Sequence, residues 1–255
     1  MMDATSVIEK LLTGSVKRYI ISPERLSENR SLKGVFIMKR QFQVKDPGSA
    51  LTHFIAMAAA ILFTAPLLLH AAGHKAGTGA LTSLTVFMVS MILLYGTSTA
   101  YHTFALTERG NRLLKKLDHM MIFVLIAGTY TPVCVIYLWG HGGGVLMAAV
   151  WGLAAAGILF KLFWVGHPKW ISSVIYIGMG WTCIFAWPQI MQYVPAVCFG
   201  WLLAGGLVYT AGGVIYAMKL KFLDSRFPNF GTHELFHLFV MGGSACQYLS
   251  LYCSI

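Results

Sequence analysis

Seven long apolar stretches constrain this chain more than any other feature. They run roughly over residues 50–71, 80–105, 118–139, 143–163, 170–187, 195–217 and 233–254. A helix needs about 20 mostly apolar residues to cross the hydrocarbon core of a bilayer. The stretches therefore predict an all-α, polytopic membrane protein: a bundle of seven transmembrane helices. Composition agrees, because only 11% of the 255 residues are charged and mean hydropathy is +0.67, whereas a soluble domain averages about 25% charged residues. Pro66 and Pro132 fall inside the first and third stretches, where membrane helices accept them as kinks. Pro188 is expected to end the short fifth one.

The placement of Lys and Arg sets an expected orientation, since cytoplasmic connections carry the excess of positive charge. Lys75 is the one member of the 19 that falls between odd- and even-numbered stretches on the opposite side from the rest. The N-terminus is therefore predicted to be cytoplasmic and the C-terminus outside, in a cell membrane of bacterial type. An even number of helices would destroy this split. Lys161, near the inner end of the fourth stretch, is expected to extend its stem to the interface. The basic connections account for the net charge of +10. No stretch interleaves basic and aromatic residues as a base-stacking platform would, so nucleic acid is not expected as a partner; membrane lipids are.

Residues 1–45 read as a separate basic cytoplasmic extension, followed by a membrane domain over 46–255. The extension is too polar for a signal peptide. Val7, Ile8, Leu11, Leu12, Val16, Tyr19 and Ile20 recur at helical spacing among Lys10, Lys17 and Arg18. That pattern suits either a helix lying on the anionic inner leaflet or a loosely ordered tail. Ser22 and Pro23 read as a helix start.

Polar groups inside apolar helices are costly and usually face a cavity or each other. The last stretch opens with HELFH, so His233 and His237 share one helix face. The second ends in STAYHTF, which puts Ser98 and His102 on one face at the same predicted depth. Asp118, in LDHMM, opens the third stretch at that depth. Three histidines and a carboxylate match a catalytic zinc site, which takes three protein ligands and keeps one position open. Bland readings stand beside this: histidines at the boundary bonding water or lipid phosphate, and Asp118 serving as a helix cap. Glu234 reads as a first-turn residue favoured by the helix dipole. His119 is expected to point elsewhere, and His167 to be solvated in an inner loop. His70, His74 and His141 fall at the outer side. His53 opens the first stretch at the right depth, as a boundary residue or a hydrogen-bonding one.

The remaining pattern reads as packing. Gly205, Gly206, Gly212 and Gly213, with Gly178 and Gly180, are expected to let helices approach closely. GHGGG at 140–144 reads as a turn. Trp164, Trp170 and Trp187 suit the membrane interface. The cysteines Cys134, Cys183, Cys198, Cys246 and Cys253 form no metal-type pair.

LYGTSTAYHTF, LDHMMIFVLIAGTYTP and HELFHLFVMGGS together resemble the hemolysin III family. That family is related to the progestin and adipoQ receptors, and more distantly to alkaline ceramidases. The resemblance covers about residues 46–253. It implies seven helices with the N-terminus inside and a zinc ion near the cytoplasmic face, held by His102, His233 and His237. It further implies Asp118 as the carboxylate beside the zinc-bound water and Ser98 as the serine one turn before the first ligand. The expected E-x-x-N-x-x-x-H at the first helix is present here as Asp46, Ser49 and His53, with Ser in place of Asn. Two functions follow as expectations. One is a zinc-dependent hydrolase of membrane lipid amides or esters, with Asp118 as base and Ser98 stabilising the oxyanion. The other is a cytolytic, receptor-like or membrane-homeostasis protein in which the zinc is structural.

Overall fold

The computed structural model describes residues 44–255 except 165, 167, 219 and 227–229. The readings made for the N-terminal extension and for His167 therefore lie outside the described residues. The described part is helical, with no strand among its residues. Helix α1 spans Pro47–Gly73, α2 Thr78–Thr103, α3 Glu108–Ile136 and α4 Gly143–Phe163. The fifth crossing is composite: α5 at Lys169–Gly180, a 3-10 turn at Thr182–Ala186 and α6 at Trp187–Tyr193. Then come α7 at Ala196–Met218, the short α8 at Lys221–Arg226 and α9 at Thr232–Tyr252.

Among the described residues, six crossings are long and apolar enough to span a bilayer by length and composition. Helix α9 is as long as α4 but less apolar, because its buried face carries His237, Ser244, Gln247 and Ser250. Its neighbours explain why it can be: it packs against α7 and α1, so protein surrounds those polar groups. The helices form a ring in which α1 follows α9, α2 follows α1 and α3 follows α2, while α5 joins α3 to α7. Apolar residues line both sides of the wall. Helix α1 turns Ala56, Ala60, Leu67 and Ala71 inward and leaves Leu62 and Leu69 about 70% exposed (69% and 71%). A helix apolar all round belongs in lipid.

Two boundaries differ from expectation for physical reasons. Helix α3 starts at Glu108, ten residues before the apolar stretch, with the Thr107 side chain accepting a hydrogen bond from the Gly110 backbone N–H. Hydropathy detects the part of a helix that lipid needs and misses a polar extension. Asp118 is consequently not a helix cap. The fifth crossing breaks at Trp181, and Pro188 opens α6 rather than ending a helix. Proline lacks the N–H that a helix interior requires but suits a first turn. The polar backbone groups freed by the break are met by Tyr130. Its hydroxyl donates to the Gly180 carbonyl at 2.6 Å and accepts from the Cys183 N–H at 2.9 Å.

The glycines divide. A Cβ on Gly205 would meet Gln247, one on Gly212 would meet Phe239, and one on Gly213 would press on Ile177; Gly206, Gly178 and Gly180 have nothing within 4 Å. Close packing thus accounts for the first three and not for the others. Gly140 and Gly142 hold positive φ of 84° and 94° in the turn before α4, as GHGGG suggests. Lys161 does not extend to the surface. It is 1% exposed and donates to the Ser172 hydroxyl at 2.6 Å, close enough to the α5 wall to be enclosed by it.

Candidate metal centre

Three helix ends meet at one end of the ring. The last two turns of α2 supply Ser98 and His102, both buried. The first turns of α9 supply His233 and His237. The start of α1 closes over them. The Nε2 atoms of His102 and His233 lie 3.1 Å apart, and the His233 and His237 rings are 4.4 Å apart between centroids. One nitrogen from each of the three histidines lies within 4.8 Å of the other two. A tetrahedral ion with bonds of about 2.0–2.1 Å places its ligand atoms roughly 3.3 Å apart. The group is therefore compact enough to hold a metal ion, and its donors are all imidazole nitrogens.

The surroundings of the group come largely from α1. Asp46 Oδ2 lies 2.9 Å from His102 Nδ1. Thr52 Oγ1 lies 3.2 Å from His237 Nδ1. Ser49 donates its hydroxyl to Glu234, whose other oxygen accepts from the Gly231 N–H at 2.8 Å and so secures the start of α9. His53 stacks on His237. Lys45 places its ammonium over the Tyr101 ring at 3.4 Å and donates to the Tyr101 carbonyl. Burial lowers the pKa of this ammonium, while the charges of Asp46 and Asp118 act the other way. The sequence places His53 at this depth as a boundary or hydrogen-bonding residue; it stacks on His237 instead, with neither nitrogen hydrogen-bonded among the described residues. The contacts of Asp46, Ser49 and Thr52 have no counterpart in the sequence reading. The spacing of Asp46, Ser49 and His53 on one helix face was visible in the sequence, but nothing there tied that face to His102 or to α9.

Two cavities adjoin the histidines. One is a largely apolar space of about 210 Å³ inside the ring, walled by residues such as Ile122, Tyr176, Leu203 and Val240 and reached by His53, Ser98, Asp118, His233 and His237. The other is a polar opening bordered by Asp46, Tyr101, His102, Asp118, His233 and Glu234. Asp118 and His233 line both. Ser98 is fully buried, and its hydroxyl has no hydrogen-bond partner among the described residues. His119 does not point away as expected. It also lines both cavities, although its Nδ1 is directed at the Lys115 carbonyl, 2.7 Å away. His70 and His74 stand at the opposite end of α1, beside Tyr252.

A ring of apolar helices with a three-histidine group at one end defines a multi-pass membrane protein of the cell membrane that could bind a metal ion. The chain belongs to the haemolysin-III-related family, whose model matches residues 42–248. It is 38% identical to a protein named Hemolysin-3 from Bacillus cereus, over 82% of this chain and 90% of that one. A Hemolysin-3 homolog from Bacillus subtilis (strain 168) is 35% identical, over 83% and 96%. More distantly, the chain is 24% identical to an adiponectin receptor protein from Drosophila melanogaster, over 64% of this chain and 40% of that one.

Proposed function

We propose that the protein is a zinc-dependent hydrolase that cleaves an amide or ester bond of a membrane lipid near the cytoplasmic face. The observation that carries this reading is the junction of the two cavities. The histidine group stands between an apolar space and a polar opening, and Asp118 lines both. A lipid has that same division between chain and head. His102, His233 and His237 would hold the zinc; three imidazoles are a donor set that zinc accepts, with a fourth position left open. Bound there, zinc would polarise the scissile carbonyl and lower the pKa of a water toward about 7. Asp118 acts as general base, taking the proton as the nucleophile forms and delivering it to the leaving group. The Ser98 hydroxyl donates to the carbonyl oxygen as negative charge develops on it. The apolar wall takes the acyl chain and keeps bulk water from the reacting bond. The cytoplasmic placement rests on the distribution of Lys and Arg.

The test pairs metal content with turnover. Purified wild type should hold about one zinc per chain, and His102→Ala and His237→Ala should lose it. Fatty acid release from N-acyl and O-acyl lipids in mixed micelles should fall by at least about 100-fold in Asp118→Asn, the lower end of what a general base contributes. Hydrolysis that survives His237→Ala would sink the mechanism.

A second reading is favoured by a different observation. The histidines join α2 to α9 across the ring, which suits a structural ion, and the Bacillus cereus relative carries the name Hemolysin-3. A cytolytic, receptor-like or membrane-homeostasis role would then need no turnover. Leakage from dye-filled vesicles that is unaffected by Asp118→Asn, with no fatty acid released, would select this reading.

A further inference from the structure

We propose that the entrance of α1 is a positioning shell for the metal centre: Asp46 and Thr52 hold His102 and His237 in the tautomer that leaves Nε2 of each free for a metal ion. The proposal rests on reading the three histidines as a metal site, and it assigns roles to residues outside that set.

A neutral imidazole carries one N–H and one lone pair, and which nitrogen holds the proton depends on its neighbours. A carboxylate can only accept. With Asp46 Oδ2 2.9 Å from His102 Nδ1, the proton sits on Nδ1, and the Nε2 lone pair faces His233 Nε2 at 3.1 Å. Thr52 leads to the same result by a different route. Its hydroxyl has one proton, and the carbonyls of Gly48 and Ser49, each 3.0 Å away, both compete for it. The oxygen is left as an acceptor, so His237 Nδ1, at 3.2 Å, is the donor. Two residues of one helix end thus impose one tautomer on ligands from two other helices.

The backbone agrees. Asp46 is the cap residue of α1, yet its side chain makes no capping hydrogen bond; the carboxylate serves His102 instead. The N–H groups of Lys45 and Asp46 donate to the carbonyls of Thr103 and His102, at 3.2 and 2.8 Å. Those carbonyls end α2 and would otherwise lack partners. The chain before α1 is therefore fastened to the same turn that carries His102, which fixes the distance from carboxylate to ring. Hydrogen-bonded partners of this kind orient a ligand and raise its basicity, and their loss typically costs 10- to 100-fold in metal affinity.

The experiment compares wild type with Asp46→Ala, Asp46→Glu, Thr52→Val and Thr64→Val, each purified in detergent and stripped with a chelator. Zinc affinity is measured by competition with a chromophoric chelator, and ligand geometry by the visible spectrum of the cobalt(II) form. Asp46→Ala and Thr52→Val should each weaken zinc binding by about 10- to 100-fold and alter the cobalt spectrum. Asp46→Glu should restore most of the affinity. Thr64→Val should change neither, since Thr64 donates to the Ala60 carbonyl of its own helix and lies roughly 18 Å further along it than Thr52. Thr52→Val is nearly isosteric, so it carries the test even if Asp46→Ala fails to fold. Zinc affinity and cobalt spectra unchanged in Thr52→Val and in a folded Asp46→Ala would overturn the shell while leaving the metal site standing. A wild type that binds neither ion would overturn the metal site and the shell together.

Discussion

The ring of His53 lies flat on that of His237, with centroids 3.5 Å apart and planes inclined by 11°. His53 is 3% exposed, and neither of its nitrogens has a hydrogen-bond partner among the described residues. Its face supports His237, while its nitrogens are left without compensation. These two contributions can be separated by substitution. His53→Phe keeps a flat ring on His237 and removes buried polar atoms, each of which costs about 1–3 kcal/mol when unsatisfied. It should raise the melting temperature in detergent and leave metal content unchanged. His53→Ala should lower the melting temperature, since emptying a buried site of comparable size costs about 2–5 kcal/mol. A His53→Phe protein that melts well below wild type would show that the nitrogens do stabilising work of their own.

Tyr130 bridges the break in the fifth crossing through one hydroxyl that both donates and accepts. Lipid offers the Gly180 carbonyl and the Cys183 N–H no substitute for it. Tyr130→Phe should therefore destabilise the protein by about 1–3 kcal/mol for each group left unpaired. Metal content should stay as in wild type, because the Tyr130 hydroxyl bonds Gly180 and Cys183 of the fifth crossing, whereas the three histidines come from α2 and α9. Thermal unfolding and metal analysis of the same preparation check both parts.

The seven crossings were legible because lipid imposes a length and an apolarity that few other environments demand. The common depth of Ser98, His102, Asp118, His233 and His237 followed from helix periodicity and from the direction of each crossing. What the sequence did not carry was lateral neighbourhood. Asp46 and His102 are 56 residues apart, and their contact depends on the closing of the ring, not on any local pattern. The start of α3 was lost because Arg109, Arg112, Lys115 and Lys116 read as a connection, although a helix leaving the bilayer is free to be polar. The burial of Lys161 was missed for a related reason. Depth alone suggests an interface residue, and only the position of α5 shows that protein encloses it.

The glycines of α7 give a sharper contrast. Gly205 and Gly206 are adjacent, yet a helix turns about 100° between them, and only Gly205 faces α9. A Cβ at Gly205 would lie 2.7 Å from Gln247 Nε2, and one at Gly212 would lie 2.6 Å from Phe239 Cβ. Gly212→Val should force α7 and α9 apart and cost at least about 1–3 kcal/mol, as overpacking does. Because α9 carries His233 and His237, metal binding should weaken with it. Gly206→Ala meets nothing within 4 Å and should leave both the melting temperature and the metal content unchanged. Equal damage from both substitutions would contradict the packing described for this helix pair.

Cys253 provides a test of orientation. It is exposed, whereas Cys134 and Cys198 are buried and Cys183 and Cys246 only partly accessible. It follows α9, at the end of the ring opposite the histidines, where Tyr252 stacks on His70 near the end of α1. If the histidine end faces the cytoplasm, as the distribution of Lys and Arg implies, Cys253 faces outward. A membrane-impermeant maleimide added to intact cells should then label wild type, and Cys253→Ser should abolish the labelling. The bundle places the histidine group and Cys253 at opposite ends, so the result also locates the candidate centre. Labelling that requires permeabilised cells would put the histidines outside, and the polar opening beside them would then admit extracellular solutes. A hydrolase fed from the inner leaflet could not survive that outcome, whereas a metal ion joining α2 to α9 could.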